Sequence, residues 1–526
     1  MPAVLTLTIT YRKYKAFYIG AGLRGRTPGA ARFGFILGAR YLMRARVYSA
    51  TTNTMGSTLK NAGLLAFGLA AGAAVTMQFS ALAYKPVEPS MPLEQLQQLA
   101  KAIEVIRSDY VEPVEGGTLL TKAISGMVDS LDPHSAYLDP AAFRELREGT
   151  EGKFVGLGIE IGESDDGYVE IVSPMEDSPA ERAGILAGDL ITRINGADVR
   201  GLGLEEAVKR MRGTPGSRVT LTIARASAPQ PLVLTVERQE IVQKSVKGSI
   251  VEPGYGWLRI SQFQEPTVDD MADKLAELAR KEPHLKGLVL DLRNDPGGLL
   301  QGAIGVAAAF LPDGAEIVST NGQLAESRQR YYGRQEDYML RSGRDPLSTV
   351  PKLFKTLPLV VLVNTGSASA SEIVAGALQD HKRGAIVGTQ TFGKGSVQTI
   401  RPIGRDAAVK LTTARYFTPS GRSIQARGIV PDFAVDENAE NDGLNALRLR
   451  EADLDRHLSG DGAGETKTRP DDIYEQMALL DAARDRQPLA YGGAGDFQLL
   501  QAVKHLKGQP MQLSKHAPGT TLAHHQ

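Results

Sequence analysis

The pattern of this chain predicts an α/β (α+β) multidomain fold, and three observations carry the prediction. Over residues 241–436, apolar strand-like runs alternate with amphipathic helical stretches. Over 151–240 the texture changes to short strands separated by glycine-rich turns. Outside these regions, 91–150 and parts of 437–526 carry apolar residues at helical spacing. With 526 residues the chain exceeds one hydrophobic core, so several domains are expected.

Taken in order, Leu93, Leu96, Leu99, Ile103 and Ile106 form one helical stripe, and Leu119, Ile124, Met127 and Leu131 continue it. Asp139-Pro140 marks a break. Strands are expected at Gly156–Ile161, Tyr168–Val172, Leu190–Ile194, Val219–Ala224 and Leu232–Val236, with short helices near Pro179–Ala183 and Leu204–Met211. In the next region the expected strands are Tyr255–Ile260, Gly287–Leu292 and Leu359–Val363, with closing strands at Val397–Ile400 and Ala408–Thr413. Helices are expected at Thr267–Arg280, Leu299–Phe310 and Ala370–Leu378. Ser459–Thr468 reads as a polar linker, and Ile473–Ala483 and Phe497–Leu506 read as helices.

The first 83 residues differ in kind. No acidic residue precedes Glu88, while Arg and Lys recur between Arg12 and Lys60. From Met55 the order is Lys60, apolar Ala62–Val75, then Ala81-Leu82-Ala83, the layout of a secretory signal with a small-residue cleavage site. Residues 1–54 then read as an over-extension upstream of the true start, and 55–83 as the signal. An uncleaved anchor is the alternative, because Ala62–Ala83 is uncharged. Both readings place the remainder in the periplasm or cell envelope.

Lys plus Arg equals Asp plus Glu at 60 each, so nothing global favours nucleic acid. With no cysteine, thiol catalysis, thiolate metal sites and disulfides are excluded. No metal-ligand spacing appears, and no cofactor is expected.

The chemistry centres on Asn364–Glu372 and Thr391–Ser396. The first segment follows an apolar strand and opens a helix, which places its serines near unpaired backbone N–H groups. A serine needs a base, and a lysine serves if burial lowers its pKa towards neutrality. Lys394, between Gly393 and Gly395 and after Phe392, suits such a site. Ser369-x-x-Glu372 also reads as a helix capping box, and Ser367 and Ser371 compete with Ser369 on composition alone. Gly388-x-x-x-x-Gly393-Lys394 begins a phosphate-binding loop, but Gly395 stands where serine or threonine should bind magnesium. Among the histidines, His381 lies about 18 Å along the helix from Ser369 and cannot reach it. Asp380 shares a face with Ser369 but is similarly distant, and His134 could approach only through the fold.

These segments, with Leu131-Asp132-Pro133-His134-Ser135, Gly156-Leu157-Gly158-Ile159-Glu160-Ile161 and Leu290–Gly298, resemble the carboxyl-terminal processing proteases, tail-specific serine peptidases of family S41. The resemblance spans roughly 91–436 in the family's motif order. It implies an N-terminal helical segment (84–150), an inserted PDZ-like β/α domain (151–240), an α/β serine peptidase core (241–436) and a helical C-terminal extension (437–526). It implies Ser369 as nucleophile, Lys394 as base and Gln398 as the residue that orients the lysine. Ala370 and Gly298 become the oxyanion donors, with Pro296 where the family often has glycine. His134 is given a packing role. Gly156, Leu157, Gly158 and Ile159 become the loop that takes a free peptide carboxylate, the peptide adding as a strand. The implied partners are protein substrates with exposed apolar C-termini, with an adaptor or activator protein and a homo-oligomer as further candidates. The alternative is a non-catalytic PDZ scaffold or chaperone that binds C-terminal peptides.

Overall fold

The computed structural model describes residues 93–164, 166–175, 177–340, 343–439, 449–460 and 491–515. The expected signal, most of the Ser459–Thr468 linker and the Ile473–Ala483 helix lie outside the described residues. Among the described residues no helix is long and apolar enough to cross a membrane.

Two helices come first, α1 (Leu93–Asp109) and α2 (Gly116–Asp129). Both helices form where the spacing predicts them, with Leu99, Ile106 and Met127 exposed and no residue of α1 buried. A three-residue strand, β1 (Ala136–Leu138), follows unannounced by the sequence pattern. Asp139-Pro140 starts a helix, α3 (Pro140–Glu151), and does not end one: the Asp139 carboxylate accepts from the Ala141 and Ala142 N–H groups. An Asp cap before a proline in the first turn is a helix N-terminus.

The expected strand at Gly156–Ile161 is two strands. β2 (Lys153–Gly156) and β3 (Ile159–Glu163) are separated at Leu157-Gly158, where Gly158 has φ 75°. A left-handed backbone cannot continue a strand, and a Cβ at that position would strike the Ser178 side chain. The chain then forms β4 (Val169–Pro174), α4 (Pro179–Arg182), β5 (Leu190–Ile194), β6 (Ala197–Asp198), α5 (Leu204–Met211), β7 (Arg218–Ala224) and β8 (Leu232–Glu237). The sheet order is β3-β4-β5-β7-β8, so β3 lies at an edge. Ile171, Ile191, Leu221 and Ile223 pack with Ala207 and Met211 of α5 in a separate small core. The chain leaves through β9 (Gln239–Val242), which pairs antiparallel with β2.

The sheet of the main core contains β10 (Val246–Glu252), β11 (Tyr255–Ile260) and β12 (Gly287–Asp291), with α6 (Thr267–Lys281) between β11 and β12. α7 (Leu300–Phe310), β13 (Glu316–Gly322), β14 (Gln329–Tyr332), α8 (Gln335–Tyr338) and β15 (Leu359–Val363) follow. Then come α9 (Ala370–Asp380), β16 (Ala385–Gly388), β17 (Ser396–Pro402), β18 (Ala408–Phe417) and β19 (Phe433–Ala434). The order is β10-β11-β12-β15-β16-β19, parallel from β11 onward. β12 and β15 are buried along their whole lengths, which is why they read as unbroken apolar runs. Leu275, Ile304 and Ile373 of α6, α7 and α9 share one core with Leu290 and Val361. On the opposite face α10 (Phe497–Leu506) places Leu499, Ala502 and Val503 against Val289, Val360 and Leu362. In a second sheet β18 pairs with β17, β13 and β1, which brings the 131–138 segment to β18.

Candidate active site

The parallel strands β12 and β15 end side by side, and the loops leaving them build the site. Ser369 lies at the start of α9 with φ 55° and ψ −110°, a left-handed conformation that costs a non-glycine residue about 1–3 kcal/mol. Its surroundings hold it there. The Ser369 N–H donates to Glu372 Oε2 at 2.8 Å, and the Ala368 N–H donates to the Asp295 carbonyl at 3.0 Å.

The three serines of the repeat separate by what their hydroxyls do. Ser367 Oγ donates to the Leu292 carbonyl at 2.7 Å and Ser371 Oγ to the Asp295 carbonyl at 2.9 Å. Both therefore tie the helix start to the loop after β12. Tyr416 of β18, whose N–H donates to the Gly395 carbonyl at 2.7 Å, carries a phenol that burial pushes up to about 12, with the Ser369 side chain acting the other way.

Glu372 is fully buried and joins the serine segment to the lysine segment. Besides Ser369 N–H it accepts from Thr391 Oγ1 at 2.5 Å, Gly393 N–H at 2.7 Å and Lys394 N–H at 2.9 Å. Burial raises its carboxyl to about 7 against these four donors. Lys394 is half-buried, and burial holds its amine below the ordinary lysine value, with Lys410 adding to the effect. Glu451, Glu372 and Asp132 pull the other way. Among the described residues no hydrogen bond joins the Ser369 hydroxyl to the Lys394 amine. Resting peptidase sites often tighten only around substrate.

Gln398 lies on β17, where its amide donates to Ser396 Oγ at 2.9 Å and Thr412 Oγ1 at 3.2 Å, with no hydrogen bond to Lys394 among the described residues. Thr412 in turn donates to Asp132, whose carboxylate also accepts from Ser135 Oγ and the His134 and Ser135 N–H groups. His134 Nε2 pairs with Glu451 at 2.7 Å, and the Glu451 N–H donates to the Phe392 carbonyl. The 131–135 motif thus braces both Gln398 and the Lys394 turn. His381 is spent on the Glu316 carbonyl, and Asp380 holds Ser420 and Arg422.

Opposite Ser369 lies the loop Asn294–Gly298. Gly297 (φ 97°) comes so close that a Cβ there would stand 2.8 Å from Ser369 Cβ and 2.9 Å from the Ala370 nitrogen. Gly298 (φ 145°) bridges to Phe263, whose carbonyl leaves no room for a side chain. Ala370 opens the helix, so its N–H has no intrahelical acceptor. In the small module, Leu157 and Gly158 face their carbonyls to Ala180 N–H and Met175 N–H, and Ile159 begins the edge strand. Gly156 belongs to the β2–β9 ribbon.

Sequence reasoning missed Tyr416 and read Glu372 only as a cap. Nothing in the spacing signals either contact, since Tyr416 meets the site from a strand far along the chain. The Asp291-x-Arg293 pair is a legible signal that sequence reasoning missed, two opposite charges closing a buried apolar strand.

A parallel sheet with a strained serine at a helix start, beside a small edge-stranded β module, defines a peptidase core carrying a PDZ domain. Residues 254–435 match peptidase family S41, 170–225 match the PDZ domain, and 69–142 match the activating protease CtpB N-terminal domain. A carboxy-terminal-processing protease of Bartonella bacilliformis is 43% identical over 397 residues, covering 74% of this chain and 87% of that one. Probable CtpA-like serine proteases of Staphylococcus aureus are 37% identical over 347 residues, and the chain spans 65% of their length. The photosystem II D1 C-terminal processing protease structure is 30% identical, with a TM-score of 0.38, over 66% of this chain and 94% of that one. The chain belongs to the carboxy-terminal-processing proteases of peptidase family S41.

Proposed function

We propose that the chain is a serine endopeptidase of the cell envelope that takes the free C-terminal tail of protein substrates and cleaves it with Ser369 and Lys394. The observation that carries this reading is the strained Ser369, held by Glu372 to the turn of a desolvated lysine and faced by Gly297.

The tail carboxylate docks on the Leu157–Ile159 turn, and the tail extends along the open edge of β3, between it and α5. Gly156 sets the turn's entry through the ribbon. Apolar final residues are favoured because Leu157, Ile159, Ala207 and Met211 line or underlie that edge. A scissile bond then reaches Ser369. Lys394 in its neutral form takes the hydroxyl proton as Oγ attacks the carbonyl carbon. Ala370 N–H and Gly298 N–H stabilise the oxyanion. The amine leaves with the proton from Lys394, then water, deprotonated by the same lysine, attacks the acyl-enzyme, and the lysine returns that proton to Ser369 Oγ as the carboxyl product departs. Gln398, braced by Thr412 and Asp132, orients the lysine once its amide exchanges partners. The match of 69–142 to an activating-protease domain makes an activator protein a candidate partner.

The test is turnover of a tail-bearing protein by the full chain, beside Ser369→Ala and Lys394→Ala. Loss of cleavage with retained tail binding in both variants is the expected result. Undiminished turnover in either one defeats the mechanism, and absence of turnover in the unaltered protein leaves a PDZ receptor for C-termini. N-terminal sequencing of the mature protein tests the envelope assignment, with a start at Tyr84 expected.

A further inference from the structure

We propose that the C-terminal extension is part of the catalytic apparatus, with Tyr491 and Asp496 acting as positioning residues for the loop that carries the second oxyanion donor. The inference rests on the serine-peptidase reading of the same site.

Arg293 immediately precedes that loop and is 1% exposed. Its guanidinium is clamped from two sides. Asp291, at the end of β12, accepts from Nε at 2.9 Å and Nη2 at 2.6 Å. Asp496, about two hundred residues later, accepts from Nη1 at 2.8 Å and Nη2 at 2.7 Å. Gln498 adds a third contact from α10 at 3.2 Å. Asp496 is also the cap of α10, accepting from Leu499 N–H at 3.1 Å and from Gly492 N–H at 3.0 Å. One carboxylate therefore fixes both the start of the terminal helix and the arginine before Asn294. Two-sided carboxylate clamping of a buried guanidinium is rigid, because its planar fork admits few alternatives.

The next residue is strained. Asn294 has φ 51°, and its side-chain amide donates to the Tyr491 hydroxyl at 2.5 Å. Its carbonyl oxygen accepts from Asn364 Nδ2 at 2.8 Å, and its own N–H donates to Asn364 Oδ1 at 2.9 Å. Asn364 begins the serine loop, accepts from Gly366 N–H, and donates its N–H to Ser367 Oγ at 3.0 Å. The Tyr491 ring stacks with two guanidiniums, Arg259 at 3.9 Å and Arg293 at 4.7 Å from its centroid. A continuous path thus runs from Tyr491 through Asn294 and Asn364 into both loops of the site. Strain of this kind persists only when the surroundings over-determine it.

The test compares full-length Tyr491→Phe, Asp496→Asn and Val503→Ala with the unaltered protein and Ser369→Ala. Tyr491→Phe keeps the ring against the arginines and removes only the hydroxyl. It is expected to lower kcat about tenfold with KM, tail-peptide affinity and thermal midpoint little changed. Asp496→Asn is expected to lower kcat further. Val503→Ala loosens α10 at its far end, and it is expected to lower the thermal midpoint while leaving kcat at 25 °C unchanged. If Tyr491→Phe and Asp496→Asn keep the unaltered kcat while cleavage still depends on Ser369, the inference fails alone. If kcat loss simply follows thermal-midpoint loss through all three variants, the role is structural and the inference also fails. Cleavage that survives Ser369→Ala sinks the underlying reading instead.

Discussion

Replacing Glu372 by glutamine probes the group that joins the serine and lysine segments. Its Oε2 receives the Ser369 and Lys394 N–H groups and its Oε1 receives Thr391 Oγ1 and Gly393 N–H. Glutamine keeps one acceptor oxygen and presents an NH₂ group to the other pair of donors. Burial raises the carboxyl from 4.5 to about 7, so near pH 7 the ionised and protonated forms are equally populated in the folded protein. The protonated form, like glutamine, has a single pure acceptor oxygen, so the substitution should cost little stability there. A raised acid pKa contributes stability that is complete below 4.5 and is lost as pH climbs through about 7. At ~1.4 kcal/mol per unit, that loss is about 3 kcal/mol. Glu372→Gln should lack it. Lys394 contributes in the opposite sense and feels the Glu372 charge, so the difference between variant and unaltered protein reads Glu372 together with its effect on that amine. Activity should move the other way. Only the carboxylate holds all four donors, so turnover of a tail peptide should rise through about pH 7 in the unaltered protein. In the variant it should stay low at every pH, by about 100-fold, the typical cost of a ~1 Å misplacement. Denaturant unfolding and kcat measured from pH 4 to 9 give both answers. A variant with unaltered kcat, or with the stability slope intact, refutes the reasoning.

Three further outcomes are expected. Lys394→Arg should lower kcat by about 100-fold or more while tail binding persists, because a guanidinium stays charged and cannot take the serine proton. Asp295 is fully buried with Oδ2 unpartnered, and burial raises its carboxyl well above the ordinary range. Its stability contribution is complete below 3.8 and lost as pH rises through the raised value, so Asp295→Asn should gain on the unaltered protein in thermal midpoint as pH increases. Gly158→Ala places a Cβ against Ser178 at a left-handed position, so calorimetric affinity for a free-carboxylate tail peptide should fall about tenfold, with the Ser369 site untouched.

The parallel core was legible because β12 and β15 are buried on both faces and must be apolar throughout. The helices after them were legible for the same reason, since α7 and α9 are buried almost all round. β13 and β14 escaped because they carry polar residues at exposed positions, so neither alternation nor an apolar run marks them, and β16, apolar and mostly buried, escaped because it is only four residues long. The break at Leu157-Gly158 was hidden by apolar residues on both sides of one glycine. Of the site, the serine and lysine segments stood out through their glycines and their place after a strand. Composition could not choose among Ser367, Ser369 and Ser371, and only the positions of the Leu292 and Asp295 carbonyls separate them. Tyr416, Tyr491 and Asp496 reach the site through pairings that span tens to hundreds of residues, which no local pattern encodes. The exposed stripe on α1 obeys the helical period, but periodicity alone does not say what covers it.

Titrating the Lys394 side chain by ¹³C-lysine NMR in the full-length Ser369→Ala protein, with assignment from Lys394→Arg, measures the amine on which the proposed hydrolysis depends. A pKa clearly below 10.5 is the expected result, in keeping with burial of the side chain. Titration at or above 10.5 would leave the serine without a base and contradict the mechanism.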